Sequence, residues 1–200
     1  MINKISQLKK SACALYCSSF IFSFICLLFA STVFASSLEV ALSDDTVSGE
    51  FVTKVNPKNL YFSGSILHHD DNADLFGLGL DVRGKPRFTS TIQQTGLGGK
   101  VIFFDSNTFD GGALALGGFF RHSFPGANLL SFRGSMYLAP GVVSFGDGDG
   151  YFEIGLRFEY EFSKQAFAFI GLKDIDIDID KRSKDIRADD GLHAGVLIHF

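Results

Sequence analysis

Residues 151–162 read Tyr-Phe-Glu-Ile-Gly-Leu-Arg-Phe-Glu-Tyr-Glu-Phe, an unbroken alternation with a period of two. Successive side chains of a β-strand point to opposite faces. Phe152, Ile154, Leu156, Phe158, Tyr160 and Phe162 therefore share one face, and Tyr151, Glu153, Gly155, Arg157, Glu159 and Glu161 share the other. Twelve such residues at about 3.3 Å each, tilted by roughly 45°, rise about 28 Å, which matches the ~25 Å apolar band of a membrane barrel. One face suits hydrocarbon and the other carries charge, so the stretch predicts a transmembrane β-strand.

The same pattern recurs along the chain. Phe76, Leu78, Leu80 and Val82 alternate with Gly77, Gly79, Asp81 and Arg83, and Leu130, Phe132, Met136 and Leu138 oppose Ser131, Arg133, Ser135 and Tyr137. A charge on the lipid face near mid-membrane costs about 2–4 kcal/mol, which accounts for its absence from these rows. With no Trp in the chain, Phe and Tyr must supply any aromatic girdle. Ten strands are legible: Leu38–Leu42, Thr46–Val55, Leu60–His68, Leu75–Arg83, Phe88–Phe104, Gly111–His122, Leu129–Leu138, Tyr151–Phe162, Ala166–Ile177 and Leu192–Phe200. Gln94–Gly96 offers a point at which the fifth could turn and split. An even count is what a single-chain bacterial barrel requires.

The connections sort by composition. Numbered alternately with both termini on the periplasmic side, the inner turns are 56–59, 84–87, 123–126 and 163–165; they are short and contain Lys or Arg in three cases but no acid, and they hold three of the four prolines. The outer connections hold Asp44-Asp45, Asp70-Asp71-Asn72-Ala73-Asp74, Asp105 to Asp110, Asp147 with Asp149, and Asp180 to Asp190. A miscount by one strand would scramble this sorting. The competing reading, a soluble barrel or sandwich with the Phe rows turned inward, fails on volume, because a small barrel is already filled by ordinary inward side chains.

Both ends fit export. Lys4, Lys9 and Lys10 precede an apolar run from Ala12 to Phe34, and Val33-Phe34-Ala35 presents a cleavage site. Residues 1–35 are read as a secretory signal peptide and 36–200 as the barrel domain; an uncleaved membrane anchor is the alternative. The three cysteines, Cys13, Cys17 and Cys26, all lie in the leader, so the mature chain has no thiol chemistry. At the other end Leu192, Ala194, Val196, Ile198 and Phe200 form an alternating strand ending on Phe. Such an end, with Val196, Ile198 and Phe200 on one face, is similar to the assembly signal of bacterial outer-membrane proteins. It implies the barrel-assembly machinery as a partner and the outer membrane of a Gram-negative bacterium, with its lipid and lipopolysaccharide, as the location.

The stretch Ser65-Ile66-Leu67-His68-His69-Asp70-Asp71-Asn72-Ala73-Asp74-Leu75-Phe76-Gly77-Leu78-Gly79-Leu80 resembles a hairpin of the YfaZ family of outer-membrane proteins, in which a Leu-His and acidic turn precede a Gly-Leu-Gly-Leu strand. Gly98-Gly99-Lys100, Ala139-Pro140 and the terminal Phe200 look similar too. The resemblance implies an integral outer-membrane barrel and supplies no catalytic residues.

Candidate chemistry is sparse. His122-Ser123 resembles the nucleophile pair of outer-membrane lipid A deacylases, but neighbours on a strand face opposite ways and cannot share a proton. His68-His69-Asp70-Asp71 sits at an outer rim, where Asp serves turn geometry as readily as metal or acid–base chemistry. Asp174, Asp176, Asp178 and Asp180 alternate with Ile175, Ile177 and Ile179. On one face of a strand their carboxylates stand about 6.6–7 Å apart, too far for one calcium cage but suited to an acidic strip that attracts divalent ions. Lys181, Arg182, Lys184 and Arg187 follow and can neutralise it. Lys100, Arg133, Glu153, Arg157, Glu159 and Lys173 are expected in the lumen, where mixed signs favour ion pairs that close the bore over a charged pore. Ten strands lie well below the roughly 16–18 that leave an open channel. The chain is mildly acidic, with a net charge of −4, and carries no cofactor motif and no basic patch for nucleic acid. The expectation is a closed structural or surface-interaction barrel with acidic loops and no cofactor; a narrow channel and an outer-membrane hydrolase are the alternatives.

Overall fold

The computed structural model describes residues 36–56, 59–70, 74–86, 91–106, 109–179 and 186–200. The leader read over residues 1–35 lies outside them. The described residues form β1 (Ser36–Leu42), β2 (Thr46–Asn56), β3 (Leu60–His69), β4 (Asp74–Gly84), β5 (Ile92–Asp105), β6 (Asp110–Phe124), β7 (Ala127–Pro140), β8 (Ser144–Gly146), β9 (Gly148–Ser163), β10 (Ala166–Ile179) and β11 (Ile186–His199). Each long strand pairs antiparallel with its neighbours in chain order, β7 meeting β9 directly. The circle closes where β1 pairs with β11, from Ser37↔His199 to Leu42↔Ala194. Ser36 and Phe200 exchange backbone hydrogen bonds of 3.0 and 2.9 Å, so the last residue is stitched to the first strand. This is a transmembrane-type up-and-down barrel of ten strands, with β8 a three-residue addition on the end of β6. Closure leaves no sheet edge, which is the condition for crossing hydrocarbon without stranded backbone groups.

Alternation in the sequence becomes an inside and an outside. On β9, Phe158 and Phe162 are 50 % and 56 % exposed, whereas Arg157 and Glu159 are 8 % and 0 % exposed. On β4, Phe76, Leu78, Leu80 and Val82 face out while Gly77, Gly79 and Asp81 are buried. Val196, Ile198 and Phe200 all look outward, at 41–55 % exposure, as the terminal strand requires. Inward glycines leave room for the large inner side chains. A Cβ at Gly117 would strike the Tyr137 ring and the Met136 carbonyl, and one at Gly171 would strike Arg157.

The end where Ser36 meets Phe200 is called the inner end, and the aspartate-rich end the outer. The last outward apolar row on one side is Ile66, Phe76 and Phe103, and the next outward row is His68, Asp74 and Asp105. The lipid-facing band stops there. On β10 it stops after Leu172, where Asp174 begins.

Two details depart from the sequence reading. Within the described residues the fifth strand starts at Ile92, Phe88 lying outside them, and Gln94–Gly96 stay in the ladder against β6 instead of turning, with a bulge between Ile92 and Gln94. The last strand begins at Ile186, six residues before Leu192, because Asp189 to Gly191 continue the ladder against β10 across a bulge. The Asp-Ile repeat is a two-faced strand end, in which Ile175, Ile177 and Ile179 point into the barrel and are nearly inaccessible.

Leu156 stands mid-strand on the outer face. Leu156→Arg is expected to lower unfolding free energy in phospholipid vesicles by about 2–4 kcal/mol in a urea titration. A change under about 0.5 kcal/mol, ordinary for a water-facing position, would argue against lipid contact.

Candidate functional site

The lumen concentrates the charged side chains. Glu39, Glu50, Asp81, Arg83, Lys100, Arg121, Arg133, Glu153, Arg157, Glu159, Lys173 and Asp189 occupy inward positions on their strands. Strand pleating sends them there: each sits in register with outward apolar neighbours, so the same alternation that builds the lipid face delivers the charges inside.

Most are paired. Arg157 makes a fork-to-fork contact with Glu39, Nη1 donating to Oε1 at 2.6 Å and Nη2 to Oε2 at 2.9 Å, and its Nε donates to Glu159 Oε1 at 2.9 Å. Glu159 is fully buried and also takes Arg121 Nε at 2.7 Å and the Ser131 hydroxyl at 3.2 Å. Lys100 Nζ donates to Glu153 Oε2 at 2.6 Å, and the Tyr151 hydroxyl donates to the same oxygen at 2.5 Å. Lys173 Nζ stands 3.9 Å from Asp189, which also accepts the Thr46 hydroxyl at 3.2 Å. Arg83 bonds Asp81 at 2.9 Å. Several reach across the bore: β1 and β9 are separated by β10 and β11, and β5 and β9 by β6 and β7.

Three of the lumen guanidinium groups, paired or not, also lie on rings. The Arg133 guanidinium is 4.3 Å from the Phe119 centroid, Arg121 is 4.6 Å from Phe167, and Arg157 is 4.2 Å from Phe169. Such stacks are worth about 2 kcal/mol or more when desolvated. Sequence reading missed these inward Phe residues because Phe in an outer-membrane strand was assigned to lipid. The clue was parity: Phe119, Phe167 and Phe169 sit out of step with the outward rows of β6 and β10.

Towards the outer end the lumen changes character. Leu67, Leu75, Ile102, Phe104, Phe109, Ala113, Ala115, Ala139, Ile175, Ile177, Ile179 and Ala188 form one buried apolar cluster. Phe109 comes from the β5–β6 connection and packs on Phe104 with ring centroids 6.0 Å apart. Below it a polar cavity of about 130 Å³ is lined by Ser48, Glu50, Ser63, Ser65, Lys100, Arg133, Ser135, Tyr137, Glu153 and His193 among others.

The remaining candidates fall outside the bore. Asp174, Asp176 and Asp178 face outward above the lipid band, opposite in direction to their isoleucines; Asp180 is outside the described residues. Arg187 pairs with Asp176 at 3.6 Å and with Asp190, which offsets part of that charge. His122 faces outward with its ring on Phe124, while Ser123 donates inward to the Thr91 carbonyl at 3.3 Å, so the two are not brought together. His68 Nδ1 lies 2.5 Å from Asp74 and its Nε2 4.0 Å from Asp70, with the imidazole 65 % exposed. Asp71 lies outside the described residues.

Two outcomes follow from these contacts. Glu159→Ala removes the acceptor shared by Arg157 and Arg121 in a fully buried place, and a loss of about 3–5 kcal/mol in urea unfolding is expected, against little change for exposed Lys164→Ala. At the rim, the hydrogen bond and charge of Asp74, with help from Asp70, hold the His68 imidazole above its ordinary value. The charged pair is therefore present below the ordinary histidine range and is lost as pH rises through the raised value. An NMR titration of His68 should show the upward shift, and Asp74→Asn should abolish it.

Among curated proteins, no sequence matches this chain. Among solved structures, a chain described as KdgM porin is similar with a TM-score of 0.42 and 9 % identity, over 83 % of this chain and 99 % of that one. The family model described as YfaZ precursor matches residues 20–200, a span that takes in every strand from β1 to the terminal Phe200. On that match, and with the closed barrel it covers, the chain belongs to the YfaZ family.

Proposed function

We propose that this protein is a closed, non-enzymatic barrel of the Gram-negative outer membrane that presents an acidic surface to the outside. The observation that carries this reading is the apolar cluster at the outer end, where Ile175, Ile177 and Ile179 meet Phe104 and Phe109. Water and ions do not cross a packed hydrocarbon layer, and the cross-bore ion pairs beneath it would have to break before anything passed. Outward, Asp44, Asp45, Asp70 and Asp147 stand on the outer connections, with Asp149, Asp174, Asp176 and Asp190 on the outer parts of strands. That ring suits contact with divalent ions held at a lipopolysaccharide surface and with basic partners. The family supplies no reaction, and the exposed His68–Asp74 pair is read as a solvated rim contact. The C-terminal face of Val196, Ile198 and Phe200 is the proposed contact for the assembly machinery.

The narrow-channel reading is favoured by one feature, the charged cavity, and the same experiment decides between them. Protein folded into a planar bilayer, with folding verified by heat-modifiable gel migration, is expected to show no discrete openings. Reproducible unit steps from the folded form, at any polarity, would replace the closed reading with the channel.

A further inference from the structure

Four acids and four bases line the polar cavity: Glu39, Glu50, Glu153 and Asp189 against Lys100, Arg133, Arg157 and Lys173. Three pairs form among them, Arg157 with Glu39, Lys100 with Glu153 and Lys173 with Asp189. Among the described residues Arg133 and Glu50 are left with no ion-pair partner, one charge of each sign. They do not pair with each other either. Arg133 is on β7 and Glu50 on β2, with β3 to β6 between them one way round and β9, β10, β11 and β1 the other way. They stand on opposite walls with the cavity between.

A third group points to an occupant. His193 is only 7 % exposed, lines the same cavity, and its Nδ1 is buried with no hydrogen-bond partner among the described residues. A ring nitrogen can donate or accept according to tautomer, so it suits a polar ligand of either kind. The hydroxyls of Ser48, Ser63, Ser65 and Ser135 complete a wall able to bond a flexible polar chain. The apolar cluster has no member on β1 or β2. The cavity lining, in contrast, runs up that side through Ala41 and Ser48 to Thr46.

We infer that the lumen holds a binding site for a small zwitterion, whose carboxylate meets Arg133 and whose ammonium meets Glu50. A single anion or a single cation would neutralise one wall and leave the other exposed; a molecule carrying both charges satisfies both at once. The Arg133 guanidinium supplies several donors for a carboxylate, and the Glu50 carboxylate accepts from an ammonium. This goes beyond the closed surface barrel proposed above, and the two are tested separately: conductance bears on closure, binding on this site.

The experiment is equilibrium dialysis of the full folded protein in detergent against labelled glycine, γ-aminobutyrate and ε-aminohexanoate, with propionate and propylamine as singly charged controls. At least one zwitterion should bind saturably, and more tightly than either control by about tenfold or more, the scale of one charge-assisted hydrogen bond. Arg133→Gln and Glu50→Gln should each weaken it by about tenfold or more. Neither substitution breaks an ion pair, so both variants should fold. The wild-type measurement stands alone if one does not. No saturable binding of any of the three zwitterions overturns the proposal and leaves a water-filled void. Binding of propionate as tightly as the zwitterions overturns it too, as does binding indifferent to both substitutions.

Discussion

A chain that crosses lipid as strands must satisfy every backbone donor and acceptor within itself, and it does so only by closing the sheet. Here that closure depends on the short β1 lying against the last strand, down to the pair of bonds between Ser36 and Phe200. Once the ring is shut, the pleat decides everything else. Each strand must send one set of side chains to hydrocarbon and the other into a narrow bore. Charges excluded from the first surface therefore arrive in the second, where water is scarce and each one needs a partner.

The bore answers that demand in two ways. In its middle, acids and bases from strands two or more positions apart join across the interior, with Glu159 serving two arginines at once. Guanidinium groups, both the unpaired Arg133 and the carboxylate-bound Arg157, also lie on phenylalanine faces, which supply electron density without adding a formal charge. Near the outer end the solution is different: polar groups give way to branched aliphatics and a loop phenylalanine, which pack as a protein core does. One layer is cohesive through charge pairing and the other through exclusion of water. The cavity lies between these two regimes, and its unpaired Arg133 and Glu50 are the exceptions to an otherwise complete set of pairs.

Residue pattern alone established the class. The runs at 75–83, 129–138 and 151–162 could be read as two-faced strands because alternation is a local property, visible without knowing any neighbour. Ten strand positions and the sorting of short basic turns from aspartate-rich connections were open to the same reading. The placement of Lys100, Glu153, Arg157 and Glu159 on inward positions also follows from parity. What parity could not say was which strand faced which across the bore, so the partners of Arg157 and Lys100, and the absence of one for Arg133, emerge only in three dimensions.

The Asp-Ile stretch shows the limit most plainly. As a string, residues 174–179 display their aspartates, and nothing local tells whether the carboxylates or the isoleucines face in. The register of β10 against β9 and β11 decides it: Ile175 and Ile177 lie level with Glu153 and Tyr151, both inward, so the isoleucines fill the mouth and the acids face outward. Phe109 was hidden for a related reason, since a loop residue has no pleat to read and is drawn inward only because the mouth offers apolar surface. Membrane crossing and barrel class were thus determined by sequence periodicity, which is a near-neighbour effect. Which side chains meet inside the lumen was decided by tertiary structure, because it depends on residues brought together from strands far apart in the chain.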